Sequence, residues 1–269
     1  MSELNTVVIV GSSLAGLRAA ETLRLEKYEG RIIIVGAEDR QPYDRPPLSK
    51  KVLSGEWEAD RISLRKPDDL AKLNIDWKLG SAATALDTTN HTITLASGET
   101  IAFDGLIIAT GSGVRKLPNQ PDWNGVHVVR TLDDSLALRA NLNPGARVVV
   151  IGAGFIGLEV AATAKVRGCE VTVLEGAPAP MMRGLGADMG HAAALVHADN
   201  GVTMRFNVKV AGLIEGNSGS VGGVALDDGV VVPADVVVVG IGVVPATQWL
   251  ENTELEIRDG VVCDTTLNA

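Results

Sequence analysis

Cysteine, aromatic residues and positive charge are all scarce in this sequence. Its 269 residues hold two cysteines, Cys169 and Cys263, too far apart for a CxxC pair. Neither a disulfide framework nor a zinc ribbon is supported, and a reducing cytoplasm is the expected compartment. Only 3% of residues are aromatic, so a core must come from aliphatic side chains. Lys and Arg number 24 against 33 Asp and Glu, a net charge of −9 without a basic cluster. Nucleic-acid binding relies on Lys and Arg to neutralise phosphates, so no nucleic-acid partner is expected. The most apolar stretch, Val230 to Val244, is interrupted by Pro233 and Asp235 and falls short of the roughly 20 residues of a spanning helix. No positively charged segment opens the chain, so no secretory signal is expected. The four histidines, His91, His127, His191 and His197, lack paired ligand spacing, and no metal site is expected.

What is present is aliphatic and glycine-rich: 46% hydrophobic residues and 30 glycines, a globular composition of about two-domain length. Val7-Val8-Ile9-Val10 reads as a strand buried on both faces, Leu14 to Leu25 as a helix, and Arg31 to Val35 as a second buried strand. The same β-α-β order returns at Arg147 to Ile151, Gly152 to Val166 and Glu170 to Glu175, which suggests two nucleotide-binding domains. Pro42, Pro46 and Pro47 make Gln41 to Lys51 a rigid loop. Trp77 to Leu79, Ala82 to Leu86 and Thr92 to Leu95 suggest an antiparallel insert, and Phe103 to Ala109 a further strand. Lys116 to Trp123 reads as a crossover. Later strands are expected at Val224 to Leu226, Val230 to Val232, Val236 to Val239 and Gly260 to Cys263. The fold class is α/β.

The second unit carries Gly152-Ala153-Gly154-Phe155-Ile156-Gly157, a complete GxGxxG between strand and helix. The first glycine permits a tight turn, the second lets backbone approach a pyrophosphate, and the third lets helix pack on strand. The helix N-terminus offers N–H groups and a positive dipole to phosphate. Glu175 lies 23 residues after Gly152, where an acid binds ribose hydroxyls and repels a 2′-phosphate, so NADH is favoured over NADPH. The competing reading is a surface glutamate. The first unit reads Gly11-Ser12-Ser13-Leu14-Ala15-Gly16, with Ser13 in place of the middle glycine, and Glu38 stands 27 residues after Gly11. Two dinucleotide sites in one chain imply a flavin held permanently and a nicotinamide that comes and goes.

These motifs, with Tyr43-Asp44-Arg45-Pro46-Pro47-Leu48-Ser49-Lys50, Ile107-Ile108-Ala109-Thr110-Gly111 and Gly240-Ile241-Gly242-Val243-Val244-Pro245, resemble the FAD-dependent NADH:ferredoxin and rubredoxin reductases along the whole chain. The resemblance implies two Rossmann-like dinucleotide-binding domains in three layers. It divides the chain into a discontinuous FAD-binding domain over 1–113 and 247–269, and an NAD-binding domain over 114–246. It implies that Gly11, Ser13, Leu14, Ala15 and Gly16 hold the FAD pyrophosphate, with Ala109, Thr110 and Gly111 lining it. Glu38 would hold the adenosine ribose, Ala83 the adenine through backbone, and Arg45, Lys50 and Arg130 the flavin side. NAD(H) would sit on Gly152, Gly154, Phe155, Ile156, Gly157, Glu175 and Gly242. Glu159 would point at the flavin–nicotinamide junction and pair with Lys50, these two being the candidate catalytic residues. Arg45, Lys50 and Glu159 also read as solvated charges; the proline-stiffened loop favours function for the first two. For Ala83 and Arg130 only the resemblance does.

By the resemblance, hydride passes from NADH to FAD and electrons leave singly to a [2Fe-2S] ferredoxin or rubredoxin. No cysteine lies between Pro42 and Lys51, where related disulfide and peroxide enzymes carry theirs, so those chemistries are disfavoured. Members of the family continue beyond the equivalent of Cys263 with a strand ending in Gly-Asp and a C-terminal domain. The sequence stops at Asn268-Ala269, so an incomplete FAD domain with weak or no flavin binding is the expectation. A non-catalytic NADH-binding module related to apoptosis-inducing factor, and monodehydroascorbate or nitrite reductase activity, share these motifs.

Overall fold

The computed structural model describes residues 4–269, which group into two compact units. One comprises the chain up to Asp44, Ile62–Gly113 and Val244–Ala269; the other comprises Arg45–Arg61 and Val114–Val243.

In the first unit, four parallel strands lie in the order Ile75–Lys78, Arg31–Val35, Thr6–Val10, Gly105–Ile108. Alternate residues of the central strands enter different cores, so the strands are apolar throughout. Val7, Ile9, Ile32 and Ile34 pack with Ala20 of the helix Leu14–Leu25. Val8, Val10, Ile33 and Val35 pack on the other side with Leu86, Ile93, Leu95 and Ile101. The latter come from the antiparallel sheet Ala83–Asp87, Thr92–Leu95, Thr100–Ala102. Helix, parallel sheet and antiparallel sheet therefore form three layers. Trp249 and Leu250 fill the second core, where the Trp249 indole nitrogen is buried without a hydrogen-bond partner. The Trp77 segment corrects the expectation of an antiparallel insert: it runs parallel as the sheet's edge strand, with Ile75 opposite Ile32 and Trp77 opposite Ile34. The period-two alternation of Ile75 and Trp77 suits either sheet, so sequence pattern could not choose between them.

The second unit has a five-stranded parallel sheet in the order Thr203–Arg205, Glu170–Leu174, Arg147–Ile151, Val236–Val239, Val126–His127. One face packs Val149, Ile151, Leu174, Val237 and Val239 against Val221, Val224 and Leu226 of the antiparallel sheet Val210–Glu215, Val221–Leu226, Val231–Pro233. The helix Phe155–Val166 buries Leu158, Val160, Ala161 and Ala164. The helix Leu132–Asn141 starts with a reciprocal capping box between Thr131 and Asp134. Met182–Asp199 is a helix that Gly184, Gly186 and Gly190 conceal in the sequence; at Gly186 the backbone leaves helical angles, with φ 76° and ψ 179°.

Two expectations change in this unit. Gln41 to Lys51 is not loop throughout, because Pro46–Ser49 forms a 3-10 turn and Lys51–Ser54 one helical turn ending at Gly55, whose φ is 88°. Both prolines occupy the first positions of their turn, where a missing N–H costs nothing. The expected boundary also placed all of residues 1–113 together, whereas Arg45–Arg61 groups with Val114–Val243. Val52 and Leu53 are fully buried there, and Arg167 donates to the Ser54 carbonyl at 3.0 Å.

Candidate functional site

In the second unit each glycine of the GxGxxG turn has its own steric cause. Gly152 has φ +100°, and a Cβ there would stand 2.4 Å from the Gly240 carbonyl oxygen. At Gly157 a Cβ would stand 2.1 Å from the Gly152 oxygen and 3.3 Å from Val150 Cγ1, so this glycine lets the helix lie on its strand. Gly154 differs: a Cβ would meet nothing within 4 Å, and its φ of −74° suits any residue. None of the described residues fills that space, which fits the close approach of a pyrophosphate. No acidic residue stands in the first turn of Phe155–Val166 to compete for the helix dipole. Phe155 and Ile156 are exposed there.

Glu175 follows the strand Glu170–Leu174 and points back at this turn. Its Oε2 accepts the Ala153 N–H at 2.7 Å and its Oε1 the Ala177 N–H at 2.8 Å. The two amides fix the carboxylate's orientation and leave further lone pairs on both oxygens. Gly242, at φ +109°, accepts the Arg115 N–H at 3.0 Å through its carbonyl.

The first unit repeats the steric logic. Gly11 has φ +124°, and a Cβ there would lie 2.0 Å from the Ala109 oxygen; at Gly16 it would lie 1.9 Å from the Gly11 oxygen. Ser13 occupies the N-cap position of the helix Leu14–Leu25, which has no acid in its first turn, and Leu14 and Ala15 are exposed. Thr110 donates its hydroxyl to the Ala246 carbonyl at 2.9 Å, and Gly111 accepts the Ala246 N–H at 3.0 Å. Glu38 lies three residues beyond Arg31–Val35 rather than on the strand, and the Tyr43 hydroxyl donates to its carboxylate. Ala83 opens an antiparallel strand. The second turn thus meets all three steric requirements of a dinucleotide cradle, the first meets the outer two with Ser13 in place of the middle glycine, and each has an acid beyond its second strand.

Within the second unit, the Lys50 ammonium lies 2.8 Å from Glu159 Oε2 and donates to the Pro46 carbonyl at 3.1 Å. Ser49 donates its hydroxyl to the same Glu159 oxygen at 2.5 Å. Arg45 donates to the Arg130 carbonyl at 2.6 Å, and the Arg130 N–H donates to Asp134 at 3.0 Å. Sequence reasoning singled out Lys50 and Glu159 but missed the roles of Ser49 and Tyr43, both inside the quoted motif. It also missed Ser135 and Thr163. Thr163 stands four residues after Glu159 and therefore on the same helix face, the one signal the sequence offers.

Cys169 is buried, and burial pushes its thiol pKa upward, the state of an inert core cysteine. Among the described residues no cluster of His, Cys, Asp and Glu could hold a metal ion, and no helix is long and apolar enough to cross a membrane.

Comparison with known proteins agrees with this geometry. Rhodocoxin reductase of Rhodococcus erythropolis is 39% identical over 96% of this chain and 61% of its own length. The biphenyl dioxygenase system ferredoxin–NAD(+) reductase component of Paraburkholderia xenovorans is 39% identical over 98% of this chain and 64% of its own. The chain thus spans under two thirds of the length of these relatives. The crystal structure of the covalent putidaredoxin reductase–putidaredoxin complex superimposes with a TM-score of 0.94 at 34% identity, covering 98% of this chain and 64% of that one. The family model described as pyridine nucleotide-disulphide oxidoreductase matches residues 5–269. The chain belongs to the pyridine nucleotide-disulphide oxidoreductase family.

Proposed function

We propose that this chain serves an NADH-dependent flavoprotein reductase that oxidises NADH and passes electrons singly to a [2Fe-2S] ferredoxin or a rubredoxin. FAD is assigned to the first unit, NAD(H) to the second, and the protein to the cytoplasm. The observation that carries this reading is the pair of glycine turns, each with an acid beyond its second strand. The relatives' names, reductases of rhodocoxin and of a dioxygenase ferredoxin, support the acceptor class.

Each unit's residues have definite work in this scheme. In the second, the open space at Gly154 admits a pyrophosphate to the helix N-terminus, and the remaining lone pairs of Glu175 take ribose hydroxyls. The fixed negative charge of Glu175 repels a 2′-phosphate, which selects NADH. In the first, Gly11, Ser13, Leu14, Ala15 and Gly16 form the phosphate turn beside Ala109, Thr110 and Gly111, and Glu38 takes the ribose. FAD, when bound, would supply the capacity for two-electron and one-electron transfer. Lys50, held between Pro46 and Glu159, presents a localised positive charge that stabilises developing anion. Ala83 completes the flavin contacts assigned within the first unit.

Stopped-flow mixing of NADH with the protein saturated by added FAD, as the expected weak flavin binding requires, tests the reading. Bleaching of the flavin absorbance, followed by reduction of an oxidised [2Fe-2S] ferredoxin, is expected. Tight NADH binding without bleaching would instead identify a nucleotide-binding module without turnover and reject the reading.

A further inference from the structure

We propose that Thr163 and Ser135 are positioning residues: two buried hydroxyls that hold the backbone of Leu48 and Ser49 so that Ser49 and Lys50 meet Glu159. Ser135 is fully buried and Thr163 is 9% exposed. Ser135 donates its hydroxyl to the Leu48 carbonyl at 2.6 Å, and Thr163 donates to the Ser49 carbonyl at 2.9 Å. Neither bond belongs to regular secondary structure. A threonine inside a helix ordinarily donates to a carbonyl of its own preceding turn; the hydroxyl of Thr163 leaves its helix and serves a residue 114 positions away.

Helical spacing gives the arrangement its purpose. Glu159 and Thr163 stand one turn apart on Phe155–Val166, so a single helix face grips Ser49 twice. Glu159 Oε2 takes its hydroxyl and Thr163 holds its carbonyl. Lys50 then arrives at the same Glu159 oxygen from the next residue. Ser135, on the neighbouring helix Leu132–Asn141, fixes the residue before. Three consecutive residues are thereby anchored in front of one carboxylate.

The Lys50–Glu159 pair is partly exposed, with side chains 46% and 31% accessible, and such a pair does not hold a flexible lysine by itself. The buried hydroxyl bonds supply what the ion pair lacks, because water cannot compete for them and losing one strands a buried carbonyl. That Lys50 matters in turnover rests on the function proposed above; the clamp itself does not.

The test follows the reactivity of Lys50 toward an acetylating reagent in the purified protein, read by peptide mass spectrometry. Lys51, paired locally with Glu56, is the internal reference. Thr163→Val keeps the shape and removes the donor, and Thr163→Ser restores the donor. We expect Lys50 acetylation to rise about fivefold in Thr163→Val, with Lys51 unchanged, and to return to the parent rate in Thr163→Ser. An unchanged Lys50 rate in folded Thr163→Val, or no rescue by serine, overturns the proposal. If Thr163→Val unfolds and every lysine gains, Ser135→Ala decides: it must show the same Lys50-selective rise, and its absence rejects the clamp. Labelling involves no dinucleotide, so it separates failure of the clamp from failure of the proposed function.

Discussion

Glu175 Oε2 accepts the backbone N–H of Ala153, 22 residues earlier, at 2.7 Å. The acid assigned to the ribose is thus also a structural member of the phosphate turn. Ala153 is fully buried, so no water can replace the lost acceptor. Glu175→Gln retains one acceptor oxygen but sets an NH2 group against the second amide, Ala153 or Ala177. We expect it to lower stability by about 1–3 kcal/mol, the cost of one buried unsatisfied donor. NADH affinity should also fall and its advantage over NADPH shrink. Urea denaturation and titration with both nucleotides measure these effects, and undiminished NADH selectivity would remove Glu175 from the ribose site.

The two outer positions of the GxG turn should separate folding from binding. Gly154→Ala adds a methyl group into open space at an ordinary backbone angle, so stability should change by less than about 0.5 kcal/mol. Nucleotide affinity should drop sharply, since the methyl occupies the pyrophosphate's approach. Gly152→Ala instead forces a Cβ to 2.4 Å from a carbonyl oxygen at φ +100°. Strain of about 1–3 kcal/mol for the backbone alone, added to that clash, should lower the melting temperature whether or not nucleotide is present.

That contrast also explains what was legible beforehand. Gly152 and Gly157 act over short sequence distances, so motif spacing carries their steric roles. The buried strands around Val8 and Val149 show as unbroken aliphatic runs because both faces are covered. Ser135 meets Leu48 across 87 residues and Thr163 meets Ser49 across 114, and no local pattern records such meetings. The Trp77 strand was misplaced because alternation reveals a strand but not its partner. The helical segment Met182–Asp199 is hidden because Gly184 and Gly190 contradict helix propensity and Gly186 interrupts the helical backbone itself.

Tyr43 is 7% exposed and donates its hydroxyl to Glu38. Removing the hydroxyl leaves the ring's packing intact, so Tyr43→Phe isolates one hydrogen bond to a charged acceptor. We expect a loss of about 1.5–3 kcal/mol, read by chemical denaturation, and weaker FAD binding as Glu38 loses its fixed orientation. Tyr43→Phe with unchanged flavin affinity would show that Glu38 needs no such orientation.

Two histidines should make stability fall on mild acidification. Burial lowers the pKa of His127 below 6.5, partly offset by the Asp134 charge, and burial alone lowers that of His197. The His127 Nε2 is buried without a hydrogen-bond partner, so the Asp134 charge only partly compensates an added proton for its burial. A base with a depressed folded pKa binds its proton first in the unfolded chain. Both states are therefore neutral well above 6.5, and as pH falls through 6.5 protonation stabilises only the unfolded state, until the folded pKa is reached. Each histidine contributes at most about 1.4 kcal/mol per pH unit in that window. Asp235 acts lower: hydrogen bonds from Arg147 hold its pKa below 3.8, so its stabilisation persists until pH drops past that value. Urea denaturation at about pH 7.5, 6.5 and 5.5 should show stability declining across the series, and His127→Gln should flatten the decline. An equal slope in His127→Gln would assign the acid sensitivity elsewhere, with His197→Gln the next variant to distinguish.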